Sequence, residues 1–224
     1  MERLKPEEEK AIRRFVRLRM KPLDPAHGFD HVECVVRLTL KIGRAEGANL
    51  RIAVTAAYLH DLPPENVKGK FDYSTEDSAR EAEAFLAKIG FPRDEIGRVV
   101  EAILPASYSM HLKGVRPKTL EAKVVRDADF LDAMGARGIA RVFATSAYYG
   151  VRRLGRVRWN PERPVRLPPS LKGPDPTPIY HFYSKLLWLK DLMQTETGRK
   201  IAEQRHQYMV EFLKRFSAEV RGAT

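Results

Sequence analysis

Apolar residues recur at helical spacing along most of this chain and divide it into a series of amphipathic segments. Ile12, Phe15, Val16 and Arg19 define a first helix over Glu7 to Met20, ended by the proline-bounded loop that follows. A second is predicted from His27 to Glu46, with Gly47 as its stop. A third, from Leu50 to Asp61, is almost wholly apolar and is halted by Pro63-Pro64. Ser74 to Ile89 and Arg93 to Leu104 follow, the first capped by Ser74 with Asp77 three positions on, the second entered through Pro92. Thr119 caps the helix carrying Asp127, Asp129 and Asp132, and Gly135 and Gly138 precede a helix from Ile139 to Tyr149. Thr177-Pro178 opens a helix expected to run to about Met193, and Thr195 opens a last one through about Val220. The pattern predicts an all-α fold built as one domain.

Three of these helices place polar groups on the apolar face. Ala53, Ala56, Ala57 and His60 recur at i, i+3, i+4 and i+7, so the imidazole of Leu59-His60-Asp61 projects from the buried side. His31 stands in register with Val35, Leu38 and Ile42, and Asp129 lies one turn after Val125 and beside Ala128. Burying such groups without a partner costs roughly 2–7 kcal/mol each. A divalent cation removes that cost, and a mixed nitrogen and oxygen set suits a borderline or hard metal. Asp127 is the alternative to Asp129 as the ligand on its helix, and the remaining carboxylates there are expected to support the ligands or to face solvent.

The order His31, His60-Asp61, Asp129 resembles the H…HD…D signature of the HD-domain superfamily of metal-dependent phosphohydrolases. Asp127 to Ala136, Phe182 to Leu187 and Thr195 to Arg199 are similar to a small stand-alone subfamily of HD hydrolases, so that the resemblance spans about residues 20–215. It implies an HD-type helical bundle over 1–224 and a divalent metal (Mn, Mg, Co, Ni, Fe or Zn not distinguished) held by His31, His60, Asp61 and Asp129. It also implies hydrolysis of a phosphate mono- or diester. Two positions depart from the subfamily. Ala106 replaces the histidine of a His-Ser-aromatic-Ser motif, here Ala106-Ser107-Tyr108-Ser109, and Cys34 replaces an arginine. His111 is close to the first of these and is expected to be a solvent histidine of a loop. His27, one turn before His31, is expected to cap or to lie on the surface, with a supporting or substrate role as the alternative.

The chain has 224 residues, 43% hydrophobic and 31% charged, enough for one large core. A single cysteine, Cys34, excludes an internal disulfide and a thiolate zinc cluster. No long uncharged apolar run is present and the charged N-terminus is unlike a signal peptide, so a cytoplasmic protein without membrane contact is expected. The net charge of +11 attracts anions: a phosphorylated small molecule, a nucleotide or nucleic acid. A charge-rich, heat-adapted surface explains it equally well, and Asn and Gln are scarce. Homo-oligomerisation stays open.

Residues 150–177 change character, with six prolines among Arg152, Arg153, Arg156, Arg158, Arg163 and Arg166. The segment is expected to be irregular, either a lid over an anionic substrate or a flexible tether. Substrate contacts are expected from Lys68, Lys70, Arg152 and Arg153, with Arg37 as an alternative and ordinary solvated lysines as the plainer reading of the first two. Asp61 is the candidate catalytic group, placed to orient or deprotonate a water. No glycine-rich phosphate loop and no Gly-x-Ser-x-Gly elbow occur, which disfavours a P-loop NTPase or an α/β-hydrolase. The rival readings are a nucleic-acid or nucleotide binder on the same scaffold and an iron oxygenase.

Overall fold

The computed structural model describes residues 3–20, 24–67, 73–170 and 174–223, and among them all regular secondary structure is helical, with no strand. The helices are α1 (Pro6–Arg19), α2 (Phe29–Glu46), α3 (Leu50–Leu59), α4 (Thr75–Lys88), α5 (Arg93–Ile103), α6 (Tyr108–Leu112), α7 (Leu120–Asp132), α8 (Gly135–Tyr148), α9 (Pro178–Ser184) and α10 (Glu196–Val220). No helix among the described residues is long and apolar enough to cross a membrane.

The centre of the molecule is α3, every residue of which is buried. The reason lies in its composition: nine of its ten side chains are apolar, small or Thr, and can be surrounded on all sides. The exception, Arg51, is neutralised where it lies by Glu8 of α1 and Glu95 of α5. Asn49 caps the helix by accepting from the Ile52 amide. Around this rod α2 and α7 pack on α3 and on each other, α5 covers another side with α4 behind it, and α1 runs alongside, with Glu8 on Arg51 and Glu9 on Tyr58. Each Leu, Ile or Val so buried stabilises the fold by about 1.5–3 kcal/mol relative to an exposed one.

Helix ends follow local chemistry. Gly47 terminates α2 with φ +78°, a left-handed conformation that glycine adopts without strain. Ser74 and Asp77 form a reciprocal capping box at the start of α4. Asp127 of α7 reaches across to the start of α10, where its carboxylate accepts from the Gln194 and Thr195 amides and the Thr195 hydroxyl. A Cβ at position 198 would collide with Asp127 Oδ2, so this approach requires Gly198. Asp127 is therefore occupied in holding α10.

The helix expected from Thr177 to Met193 is broken. α9 ends at Ser184, Lys185 adopts φ −139° and ψ −61°, and residues Leu186–Leu192 continue as a 3₁₀ helix. The cause is at Tyr183, whose carbonyl accepts from the Leu167 amide and the Trp188 indole. One partner from the irregular segment and one from the following turn thus take the acceptor on which the next α-helical turn depends.

Residues 151–170 and 174–177 carry no regular structure, as their prolines dictate, yet they are fastened to α9. The Ile179 amide donates to Leu154 O, the Tyr183 hydroxyl to Trp159 O and the Tyr180 hydroxyl to Pro168 O. Asp175 accepts from the Ser170 amide, His181 and Ser184. A freely moving tether does not describe this segment.

Candidate functional site

α2, α3 and α7 bring His31, His60 and Asp129 to one point. His31 lies in the first turn of α2, His60 is the residue on which α3 ends, and Asp129 is one turn from the end of α7. His31 Nε2 and His60 Nε2 are 3.2 Å apart, and Asp129 Oδ1 is 3.5 Å from the first and 3.6 Å from the second. The two imidazoles are buried, whereas the Asp129 side chain is 20% exposed and marks the open side of the cluster.

The other ring nitrogens determine what these atoms offer. His31 Nδ1 donates to Asp132 Oδ2 at 2.7 Å, and His60 Nδ1 donates to the Ala57 carbonyl at 2.8 Å. When both rings are neutral, each presents an Nε2 lone pair to the other, an arrangement that needs a positive charge between them. Burial and the nearby Arg141 push His31 down to about 4. Burial also opposes protonation of His60, but its hydrogen bond with Asp129 and the charges of Asp129 and Asp61 outweigh that and raise it. Three donors 3.2–3.6 Å apart match neighbouring positions around a cation roughly 2.1 Å from each. Nitrogen, nitrogen and carboxylate oxygen, with each imidazole oriented from behind, fit a divalent metal.

Behind His31, Asp132 is fully buried and accepts from Arg137 Nε at 2.6 Å and Arg141 Nη1 at 2.5 Å as well as from the imidazole. Burial alone would raise its pKa, but the bond to His31 and the two guanidiniums hold it well below the usual carboxylate range. Asp132 is thus the orienting group of a ligand. Its spacing of three from Asp129 puts both carboxylates on one face of α7, a signal the sequence contained. Arg137 and Arg141, four apart on α8, were not anticipated.

Asp61 follows His60 and is 5% exposed. Tyr73 donates its hydroxyl to the Asp61 carbonyl, and the Asp61 charge acts on both His60 and His27. The triangle of mutually close ligand atoms consists of His31, His60 and Asp129, without Asp61.

His27 precedes α2 and donates from Nδ1 to Asp24, which also accepts from the Ala26 amide and the Tyr149 hydroxyl. Its ring centre is 6.2 Å from that of His31, beside the cluster but outside the triangle of ligand atoms. Lys185, at the break after α9, acts on Asp129, and Lys185 and Arg141 both act on His181. Lys185 lies in the family-like stretch Phe182 to Leu187, which gives it no site role, and the sequence does not single out His181, within α9. Arg152 and Arg153 are exposed, and Lys68 and Lys70 lie outside the described residues. His111 departs from the solvent loop expected for it: it sits in α6, stacked on Tyr108, and accepts from Arg126. Ala106 is fully buried, a methyl group at the position where a histidine was expected.

Residues 28–134 match the family model of the HD domain. The uncharacterized protein YpgQ of Bacillus subtilis is 33% identical over 223 residues, covering 99% of this chain and 97% of YpgQ. Its crystal structure in complex with ADP superposes with a TM-score of 0.69 at 30% identity, over 95% of each chain. A Lactobacillus plantarum structure gives a TM-score of 0.75 at 29% identity, covering 97% of this chain and 99% of that one. A Bacillus thuringiensis HD-superfamily hydrolase gives 0.67 at 30% identity, over 96% and 97% of the two chains. With that likeness along its whole length, and His31, His60 and Asp129 gathered at one point in the order of the signature, the chain belongs to the HD-domain superfamily of hydrolases.

Proposed function

We propose that this protein is a metal-dependent phosphohydrolase acting on a phosphate mono- or diester of a nucleotide or another small phosphorylated metabolite. The observation that carries the reading is the triangle of His31 Nε2, His60 Nε2 and Asp129 Oδ1, with sides of 3.2–3.6 Å and one open edge. These three residues and Asp61 would hold the divalent ion. When bound, the ion supplies Lewis acidity toward a phosphoryl oxygen and lowers the pKa of water. Asp61 would orient the attacking water, take its proton as the new P–O bond forms, and return that proton to the departing oxygen as the ester P–O bond breaks, so that the leaving group departs as an alcohol. The complex of YpgQ with ADP supports a nucleotide as the substrate class. Lys68, Lys70, Arg152 and Arg153 are assigned to the substrate's phosphate, where an arginine fork engages oxygens in pairs.

Purified protein loaded with manganese should release phosphate from members of a panel of nucleotides and sugar phosphates, and chelation should reduce release to background. His60→Ala and Asp129→Ala should lose metal and activity together while the helical circular dichroism persists. Activity that survives chelation would sink the reading.

A second reading, a nucleic-acid binder on this scaffold, is favoured by the face of α1 where Lys10, Arg13, Arg14 and Arg17 line an open hollow. Arg13 and Arg17 stack over Phe29 with guanidinium carbons 5.8 and 4.9 Å from the ring centre. Absence of hydrolysis together with steeply salt-dependent RNA or DNA binding would favour it.

A further inference from the structure

Arg126 of α7 is among the largest side chains that the protein buries completely, at 1% exposure. A buried guanidinium ordinarily meets a carboxylate, as Arg51 meets Glu8 and Glu95. Arg126 forms no ion pair with any described residue. Its Nη2 donates to His111 Nδ1 at 2.8 Å, and its Nε and Nη1 have no acceptor among the described residues. Phe130 lies under the guanidinium, with the carbon 5.0 Å from the ring centre. Asp127 and Asp129 compensate only through space, since Asp127 is engaged at the start of α10 and Asp129 with the two histidines.

The neighbours add positive charge around this group, which pairs with no carboxylate among the described residues. Arg116, exposed, donates to the His111 carbonyl at 2.9 Å and acts on both His111 and Arg126. Arg166, exposed on the irregular segment, also acts on His111 and stacks over Trp188 at 5.1 Å. Lys185 Nζ lies 5.2 Å from the centre of Tyr108, the ring on which His111 stacks. Burial and these three arginines hold the imidazole at about 4, so it is neutral at pH 7. Because Nδ1 accepts from Arg126, the His111 proton resides on Nε2, on the edge of the ring away from Arg126.

We propose that Arg126, His111, Arg116 and Arg166 form an anion site that takes a phosphoryl group other than the one hydrolysed. His111 donates from Nε2, the two exposed arginines contribute their forks, and Arg126 fixes the histidine tautomer and adds its field. Arg126 is one helical turn from Asp129, so a distal phosphate of a nucleoside diphosphate is the ligand chemistry that reaches both places. That identity rests on the phosphohydrolase reading; the anion site does not.

The test uses full-length protein stripped of metal, so that no turnover is involved, with calorimetric titration of a nucleoside diphosphate, inorganic pyrophosphate and orthophosphate. Arg116→Ala/Arg166→Ala should weaken diphosphate and pyrophosphate binding by about tenfold or more without changing subsequent manganese stoichiometry. Arg126→Met should do the same, and Arg126→Lys, which cannot reproduce the fork, should recover only part of the loss. Should Arg126→Met fail to fold, the exposed double variant decides alone. Tight pyrophosphate binding with a weak nucleotide response assigns the site to a free anion, whereas the reverse order assigns it to the nucleotide. Unchanged affinity for both in Arg116→Ala/Arg166→Ala overturns the site. Loss of binding in a protein that hydrolyses nothing refutes the phosphohydrolase reading and leaves the site standing.

Discussion

His31 depends on a residue 101 positions away, since Asp132 fixes which of its nitrogens faces the cluster. Asp132 is itself held by Arg137 and Arg141, so its carboxylate stays charged although fully buried. Asp132→Asn keeps the size of the side chain but offers the imidazole an amide that can donate as well as accept. Metal affinity should fall by about 10- to 100-fold, as it does when the group behind a histidine ligand is altered. Competition against a fluorescent chelator measures this, and unchanged affinity would show that burial of the ring alone sets its tautomer. Arg141→Ala should have a smaller effect in the same direction, because Arg137 and the imidazole remain on the carboxylate.

At the scale of elements, α7 supplies ligands on one face and a brace for α10 on another. Asp127 accepts from two amides and a hydroxyl at the start of α10, and its loss would leave buried donors without a partner. Asp127→Ala should destabilise the protein by on the order of 3 kcal/mol, and Thr195→Ala, which removes one cap, by about 1 kcal/mol. The two effects should not add, because they share the hydroxyl–carboxylate bond. Chemical denaturation of the two single variants and the double variant reads both statements. Metal content should be unchanged in all three, and a loss of metal in Asp127→Ala would reinstate Asp127 as a ligand.

For the molecule as a whole, stability should fall with acidification in two separate windows. His111 is held at about 4 by burial and by its arginine neighbours, below the usual value near 6.5. The unfolded chain therefore binds that proton first, and stability falls as pH drops from 6.5 to 4 and is indifferent to this group below. Asp24 is lowered to about 2: burial alone would raise it, but bonds from His27, the Ala26 amide and Tyr149 prevail. Its contribution is complete above 3.8 and is lost as pH falls toward 2. Thermal melts of wild type and Asp24→Asn should accordingly converge between about pH 4 and 2, and a constant difference there would contradict the assignment. Most helix positions, though not α6, and the inward faces of His31, His60 and Asp129 were legible in the sequence, because periodicity is local: a residue three or four places from an apolar one shares its face whatever the remainder of the chain does. His31, His60 and Asp129 could be placed on inward faces by that rule, and the order of the signature pointed to one site for them. The rule could not choose among Asp127, Asp129 and Asp132, since a single turn's difference aims them at α10, at the cluster and at His31, and only the packing of α7 between its neighbours settles which. Nor could it show the break at Lys185 or the burial of Arg126 and His111, because those follow from bonds between segments far apart in sequence, whose meeting is decided by tertiary structure.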